Sequence, residues 1–145
     1  MGHSRRFRLR NHIDELETLR ENLEAFGETV GITRRCLFRL NLALDELFTN
    51  VVTCGYEDRN IHYVDVALRA NEKELNITIV DDGTPFNPLP AEPPDTQCGV
   101  EKRKVGGLGI HLVKQLMDHL NYRRENGQNI VTLTKKREIP SESID

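Results

Sequence analysis

The stretch LALDELFTNVVTCGYED, residues 42–58, is where the reading of this chain turns. In it and just before it, Leu37, Leu40, Leu44, Leu47, Phe48 and Val51 recur at three- and four-residue steps, which predicts a helix with one buried stripe. Thr33 stands where an N-cap hydroxyl belongs, and Gly55 where a helix stops. Glu46 and Asn50 are four residues apart, so they share a face, about one turn apart, at the border of that stripe. Taken alone, the pair also fits an ordinary solvated helix face, because exposed Glu and Asn are common.

Working outward, residues 6–10 alternate Phe7 and Leu9 with arginines and predict a short edge strand whose charged face meets water. Ile13, Leu16, Leu19, Leu23 and Phe26 mark an earlier helix stripe, ended by Gly27 and Gly31. After the central helix, residues 63–69 and 75–80 read as two strands joined by a polar turn, hence a hairpin. Five of the six prolines then fall between Gly83 and Val105, which excludes regular structure there and suits a lid or binding loop. Leu108, Leu112, Val113, Leu116, Met117 and Leu120 form a third helix stripe. Residues 122–124 and 130–134 make a last hairpin around Asn126-Gly127, giving the order β-α-α-β-β-lid-α-β-β.

The 145 residues, 37% of them hydrophobic, suit one compact domain, expected over 5–137, with a flexible tail at 138–145. A formal net charge of −3 argues against a general nucleic-acid binder, although residues 5–8 and 102–104 are locally basic. Cys36, Cys54 and Cys98 lack C-x-x-C spacing, so neither a disulfide framework nor a zinc site is expected, and a reducing cytoplasm fits best. No apolar stretch nears the ~20 residues needed to span a bilayer, so no membrane partner is expected.

Two further stretches carry chemistry: ITIVDDGTPFNP at 77–88 and VGGLGIHLVKQLMD at 105–118. Asp81 closes a strand, where a carboxylate can accept a hydrogen bond from the exocyclic amine of adenine and Gly83 lets backbone approach a flat base; a plain Asp-Asp-Gly turn is the competing reading. Gly106, Gly107 and Gly109 precede a helix whose exposed amides can cradle phosphates, although a ligand-free hinge reads equally well. The segment is not a Walker loop, because the Lys-Ser/Thr ending is missing. A carboxylate at Glu46 can orient a hydroxyl for attack on phosphorus, and the neutral amide of Asn50 can hold a hard Mg²⁺ ion.

Together, Glu-x-x-x-Asn, Asp-x-Gly and Gly-x-Gly in these three stretches resemble the N, G1 and G2 boxes of the GHKL (histidine-kinase-like) ATPase superfamily, over residues 7–136. The Gly-Tyr-Glu after the first box, the Pro-Phe-Asn-Pro after the second and the helix after the third look like the anti-sigma-factor serine kinases of the RsbW and SpoIIAB type. That resemblance implies an α+β fold of the Bergerat type. It is a two-layer α/β sandwich with a mixed, mostly antiparallel sheet and helices on one face. It implies ATP and Mg²⁺ as cofactors, Glu46 as general base toward a seryl hydroxyl, Asn50 as Mg²⁺ ligand and Asp81 as adenine acceptor. Gly83, Pro85, Phe86, Lys104, Gly106, Gly107, Leu108, Gly109 and Ile110 would shape the nucleotide pocket. The implied partners are a STAS-domain antagonist that is phosphorylated and a sigma factor that is sequestered, with the kinase itself a cytoplasmic homodimer.

The chain departs from that pattern at two places. It has Val105-Gly106 where relatives often carry a basic residue, a charge that Lys102, Arg103 or Lys104 would supply. It also has Gly127-Gln128-Asn129 where a Gly-Thr pair is common. Two functions stay open from sequence: an active protein-serine kinase, favoured by the presence of both Glu46 and Asn50, and an ATP-binding regulatory module with little or no kinase activity.

Overall fold

The computed structural model describes residues 2–85 and 113–137. Five strands form one sheet in the order β1-β2-β3-β5-β4, every neighbouring pair antiparallel. They are β1 (His3–Arg10), β2 (Tyr63–Ala70), β3 (Glu74–Asp81), β4 (His119–Glu125) and β5 (Gln128–Lys136). Two helices, α1 (Leu16–Val30) and α2 (Arg34–Cys54), lie between β1 and β2 in sequence. The helices-and-sheet sandwich agrees with the expected fold class, with a described sheet that is antiparallel throughout rather than mixed.

Strand alternation sets the two faces. Val64, Val66, Leu68, Leu75, Ile77, Ile79, Val131 and Leu133 are buried on one side, and they join Leu19, Leu23 and Phe26 of α1 and Leu40, Leu44, Leu47 and Phe48 of α2 in a single core. Across the sheet, Phe7, Val66, Ile79, Val131 and Tyr122 stand in one register row. Two residues on along each strand, the next inward row reads Leu9, Val64, Asp81, Asn129 and Arg124, so the apolar face turns polar at its end.

α2 starts and stops as its sequence predicts. The Thr33 hydroxyl accepts from Cys36 N at 3.0 Å, and Gly55 N donates to Val51 O at 2.9 Å. α1 instead runs through Gly27 to Val30. Gly27 is a packing glycine, whose Cβ would come within 3.3 Å of Ile32 and Leu37, and the stop falls to Gly31 at φ 84°. Ile13 lies in a 3-10 turn (Ile13–Glu15) and is exposed, so the stripe begins at Leu16 rather than there.

The third helical stretch ends at residue 116, earlier than its periodicity suggests. Asp118 N donates to Thr134 O at 2.9 Å and opens the β4–β5 ladder, which places Leu120 in a strand opposite Leu133. Leu120 keeps an apolar neighbour in either conformation, so its hydrophobicity alone does not separate the two. The β4–β5 turn is the two-residue Asn126-Gly127 loop, with φ of 54° and 77°, as the twist of a tight hairpin requires. Cys36 is a buried thiol. Cys54 is disulfide-bonded, which corrects the expectation of unpaired cysteines. Among the described residues, no helix is long and apolar enough to cross a membrane.

Candidate functional site

The C-terminal half of α2 meets the ends of β3 and β5 in a cleft of about 400 Å³, its open mouth included. Asn50 and Val51 line it from α2, Ile79 and Asp81 from β3, Asn129 and Val131 from β5. Asn50 is only 9% exposed, yet among the described residues its side chain has no hydrogen-bond partner. Its amide atoms are not enclosed by the protein, so on the wall of the cleft they stay open to what enters it.

Asp81 is 5% exposed and sits opposite Asn129 in the β3–β5 ladder. Gly83 N and Asn129 Nδ2 both donate to its Oδ1, each at 2.9 Å. Its Oδ2 receives no donor from the described residues and faces no fully enclosed space. Burial is the main cause raising the Asp81 pKa above the ordinary carboxylate value. The donors on Oδ1 oppose that rise, Asp82 adds to it, and Arg124 counters it.

Asn129 anchors this corner. Tyr122 Oη and Arg124 Nη1 donate to its Oδ1 at 2.7 and 3.1 Å, while its Nδ2 donates to Asp81 Oδ1 and to Thr84 O at 2.9 Å. Arg124 Nη1 also reaches Gly83 O at 2.8 Å. Gly83 is required by backbone contact: an added Cβ would overlap the Gly55 carbonyl oxygen, the same oxygen that accepts from Thr84 N at 2.8 Å. The close approach Gly83 permits in this chain is therefore to the end of α2. Gly83→Ala should force the G1 turn away from Gly55 and lower stability by roughly 2–4 kcal/mol, checked by urea unfolding; a loss under about 0.5 kcal/mol would contradict that packing.

Glu46 lies one turn before Asn50 on α2 but does not line the cleft formed by the described residues. Its Oε2 is buried without a partner, and its pKa is raised, first by burial and then by the neighbouring Asp45 carboxylate. Asp45 is held by Arg20 of α1 at 3.0 Å. A raised carboxyl pKa means that the fold disfavours the ionised form. The cost is absent below the unfolded pKa, grows as pH rises above about 4.5, and is complete above the folded pKa. Glu46→Gln should therefore raise Tm at pH 7 by about 1–2 °C, a gain kept small because water screens a carboxyl that is only partly buried, and the gain should vanish below about pH 4. Thermal melts across that range check it, and a gain that grows toward acid pH would contradict it.

Of the residues singled out by sequence, Asn50 and Asp81 line one cleft, Gly83 shapes its rim and Pro85 is exposed beside it. Phe86, Lys104, Gly106, Gly107, Leu108, Gly109 and Ile110 lie outside the described residues. Asn129, Tyr122 and Arg124 were not identified as site residues by sequence. The available signal was a polar Asn on the same inward alternation as the apolar Val131 and Leu133.

The fold is that of a histidine-kinase-like ATPase domain. The chain belongs to the histidine kinase-like ATPase domain family, whose family model matches residues 9–135. It is similar to the serine/threonine-protein kinase BtrW of Bordetella bronchiseptica, 30% identical over 100 residues that cover 69% of this chain and 70% of that one. It is also similar to the serine-protein kinase RsbW of Bacillus velezensis, 28% identical over 131 residues, or 88% of this chain and 80% of that one. In fold it matches a crystal structure of the RsbU and RsbW domains of Rv1364c from Mycobacterium tuberculosis, with a TM-score of 0.68 and 18% identity, covering 99% of this chain. The chain spans about a third (35%) of that larger protein.

Proposed function

We propose that this chain is an ATP-dependent protein-serine kinase that acts as an anti-sigma factor. In this reading it phosphorylates a STAS-domain antagonist and sequesters a sigma factor, working as a cytoplasmic homodimer. The observation that carries the proposal is the shared cleft, in which Asn50 and Asp81, from a helix and a strand far apart in sequence, both present polar atoms without protein partners. The similarity to BtrW and RsbW, both named as protein kinases, supports the phosphoryl-transfer half.

The residues fit an adenine nucleotide and a magnesium ion. Asp81 Oδ2 is an open acceptor for a purine amine, and the partnerless Asn50 amide offers a neutral oxygen to a hard cation. Bound magnesium would neutralise phosphate charge. Glu46 has the properties of a base: a buried oxygen without a donor and a pKa shifted toward neutrality. It would take the proton from the seryl hydroxyl as that oxygen bonds to the γ-phosphorus and the bond to the ADP oxygen breaks. The phosphoserine adds about −1.5 to −2 charge to the antagonist, which weakens its hold on an acidic kinase and frees the kinase for sigma.

Incubation with labelled ATP, Mg²⁺ and STAS-domain proteins from the same genome tests this. Label on a serine of one such protein is the expected result. Nucleotide binding without transfer to any of them would reduce the chain to a regulatory binding module.

A further inference from the structure

Asn129 sits at the start of β5 opposite Asp81, and its surroundings give it a specific task. The group of Asn129 that faces Arg124 must be the carbonyl oxygen, because a guanidinium only donates, and Tyr122 Oη lies 2.7 Å from the same atom. With that end fixed, the amide NH₂ has no choice but to point at Asp81 Oδ1 and Thr84 O, both at 2.9 Å. Gly83 N occupies Asp81 Oδ1 as well. One oxygen of the carboxylate is thus held by two donors from the protein, and the other is left with none.

We propose that Asn129, oriented by Tyr122 and Arg124, is the positioning residue for base selectivity, because it commits Asp81 Oδ1 to the protein and leaves Oδ2 as a bare acceptor for a purine 6-amine. The proposal rests on the nucleotide-binding reading above and adds to it a cause for choosing a 6-amino over a 6-oxo purine. An amine donates to a bare oxygen, whereas a carbonyl oxygen at the same place would meet another acceptor. Asn129→Asp reverses the arrangement. One of its oxygens still accepts from Tyr122 and Arg124, but the other faces Asp81 Oδ1 and Thr84 O, two acceptors, so the two carboxyls must share a proton. A carboxylic acid at Asp81 presents a donor as readily as an acceptor.

The test is titration calorimetry of the full chain with Mg-ATP and with Mg-ITP, whose base carries an oxo group at C6 and a hydrogen on N1 where adenine has the amine and a bare N1. The wild-type chain should prefer ATP by ~10-fold or more, and Asn129→Asp should narrow that preference by ~10-fold. Tyr122→Phe removes one of the two donors that orient the amide and should narrow it by a smaller factor, roughly 2- to 5-fold, with the fold intact by circular dichroism. Tyr122→Phe decides the matter if Asn129→Asp does not fold. Equal weakening of ATP and ITP in the folded variants would show a merely structural role and overturn the proposal. A wild-type chain that binds both nucleotides equally would overturn it while sparing the proposed function. A wild-type chain that binds neither would overturn both.

Discussion

Replacing Glu46 with Ala is expected to lower serine phosphorylation by ~10²–10⁴-fold, the usual contribution of a positioned general base, while the affinity for Mg-ATP changes less than about 3-fold. The separation follows from the geometry. Glu46 stands one turn from Asn50 on α2, yet the cleft that holds Asn50 and Asp81 is built without it. Its Oε2 makes no hydrogen bond in the described structure, so truncation removes no partner that supports the fold. Burial and the Asp45 charge also raise its pKa, so transfer should fall as pH drops through that raised value. Full transfer by Glu46→Ala in a single-turnover assay would show that another group takes the proton.

The second large effect is expected at Asp81. Asp81→Asn keeps a carbonyl oxygen to accept from Gly83 N and Asn129 Nδ2, so the corner should remain folded. The atom that replaces Oδ2 becomes an NH₂, which meets the purine amine donor to donor. ATP affinity should drop by ~10- to 100-fold, the value of a hydrogen bond to a charged group lost in a partly buried site. Calorimetric titration measures it. An unchanged affinity together with an unchanged melt would remove Asp81 from the base site.

What could be read from the chain follows how local each cause is. α2 was legible because six apolar residues at helical spacing, a Thr cap and a Gly stop all act within a few turns. Asp81 was legible as the last residue of a strand run, and its partnership with the helix pair rested on resemblance to a family. Asn129 was not legible as a site residue, because its meaning depends on the β3–β5 register that sets it opposite Asp81, and pairing register is a tertiary property. The role of Gly83 was only half readable. A glycine after Asp-Asp suggests a tight turn, but the constraint comes from the Gly55 carbonyl at the end of another element. Leu120 was misassigned because it suits a helix stripe and a strand face alike, and ladder bonds from Asp118 onward decide between them.

The outer face of the sheet shows the same division. Arg8 and Asp65 pair at 2.8 Å between β1 and β2, a contact that the alternating arginines of β1 anticipated only as a charged surface. Both side chains are about half exposed or more, so water screens the pair and it is not what holds the edge strand in place. Leu9 and Phe7, on the inward side of the same strand, do that by joining the core.

Asn50 and Asp81 are expected to serve one ligand, and titration of Mg-ATP into the wild-type, Asn50→Ala and Asp81→Asn chains tests that most directly. Saturable binding at one site per chain, weakened by both substitutions, with the Asn50→Ala loss disappearing when magnesium is withheld, is the predicted result. Absence of binding by the wild-type chain, or binding that neither substitution alters, would contradict it.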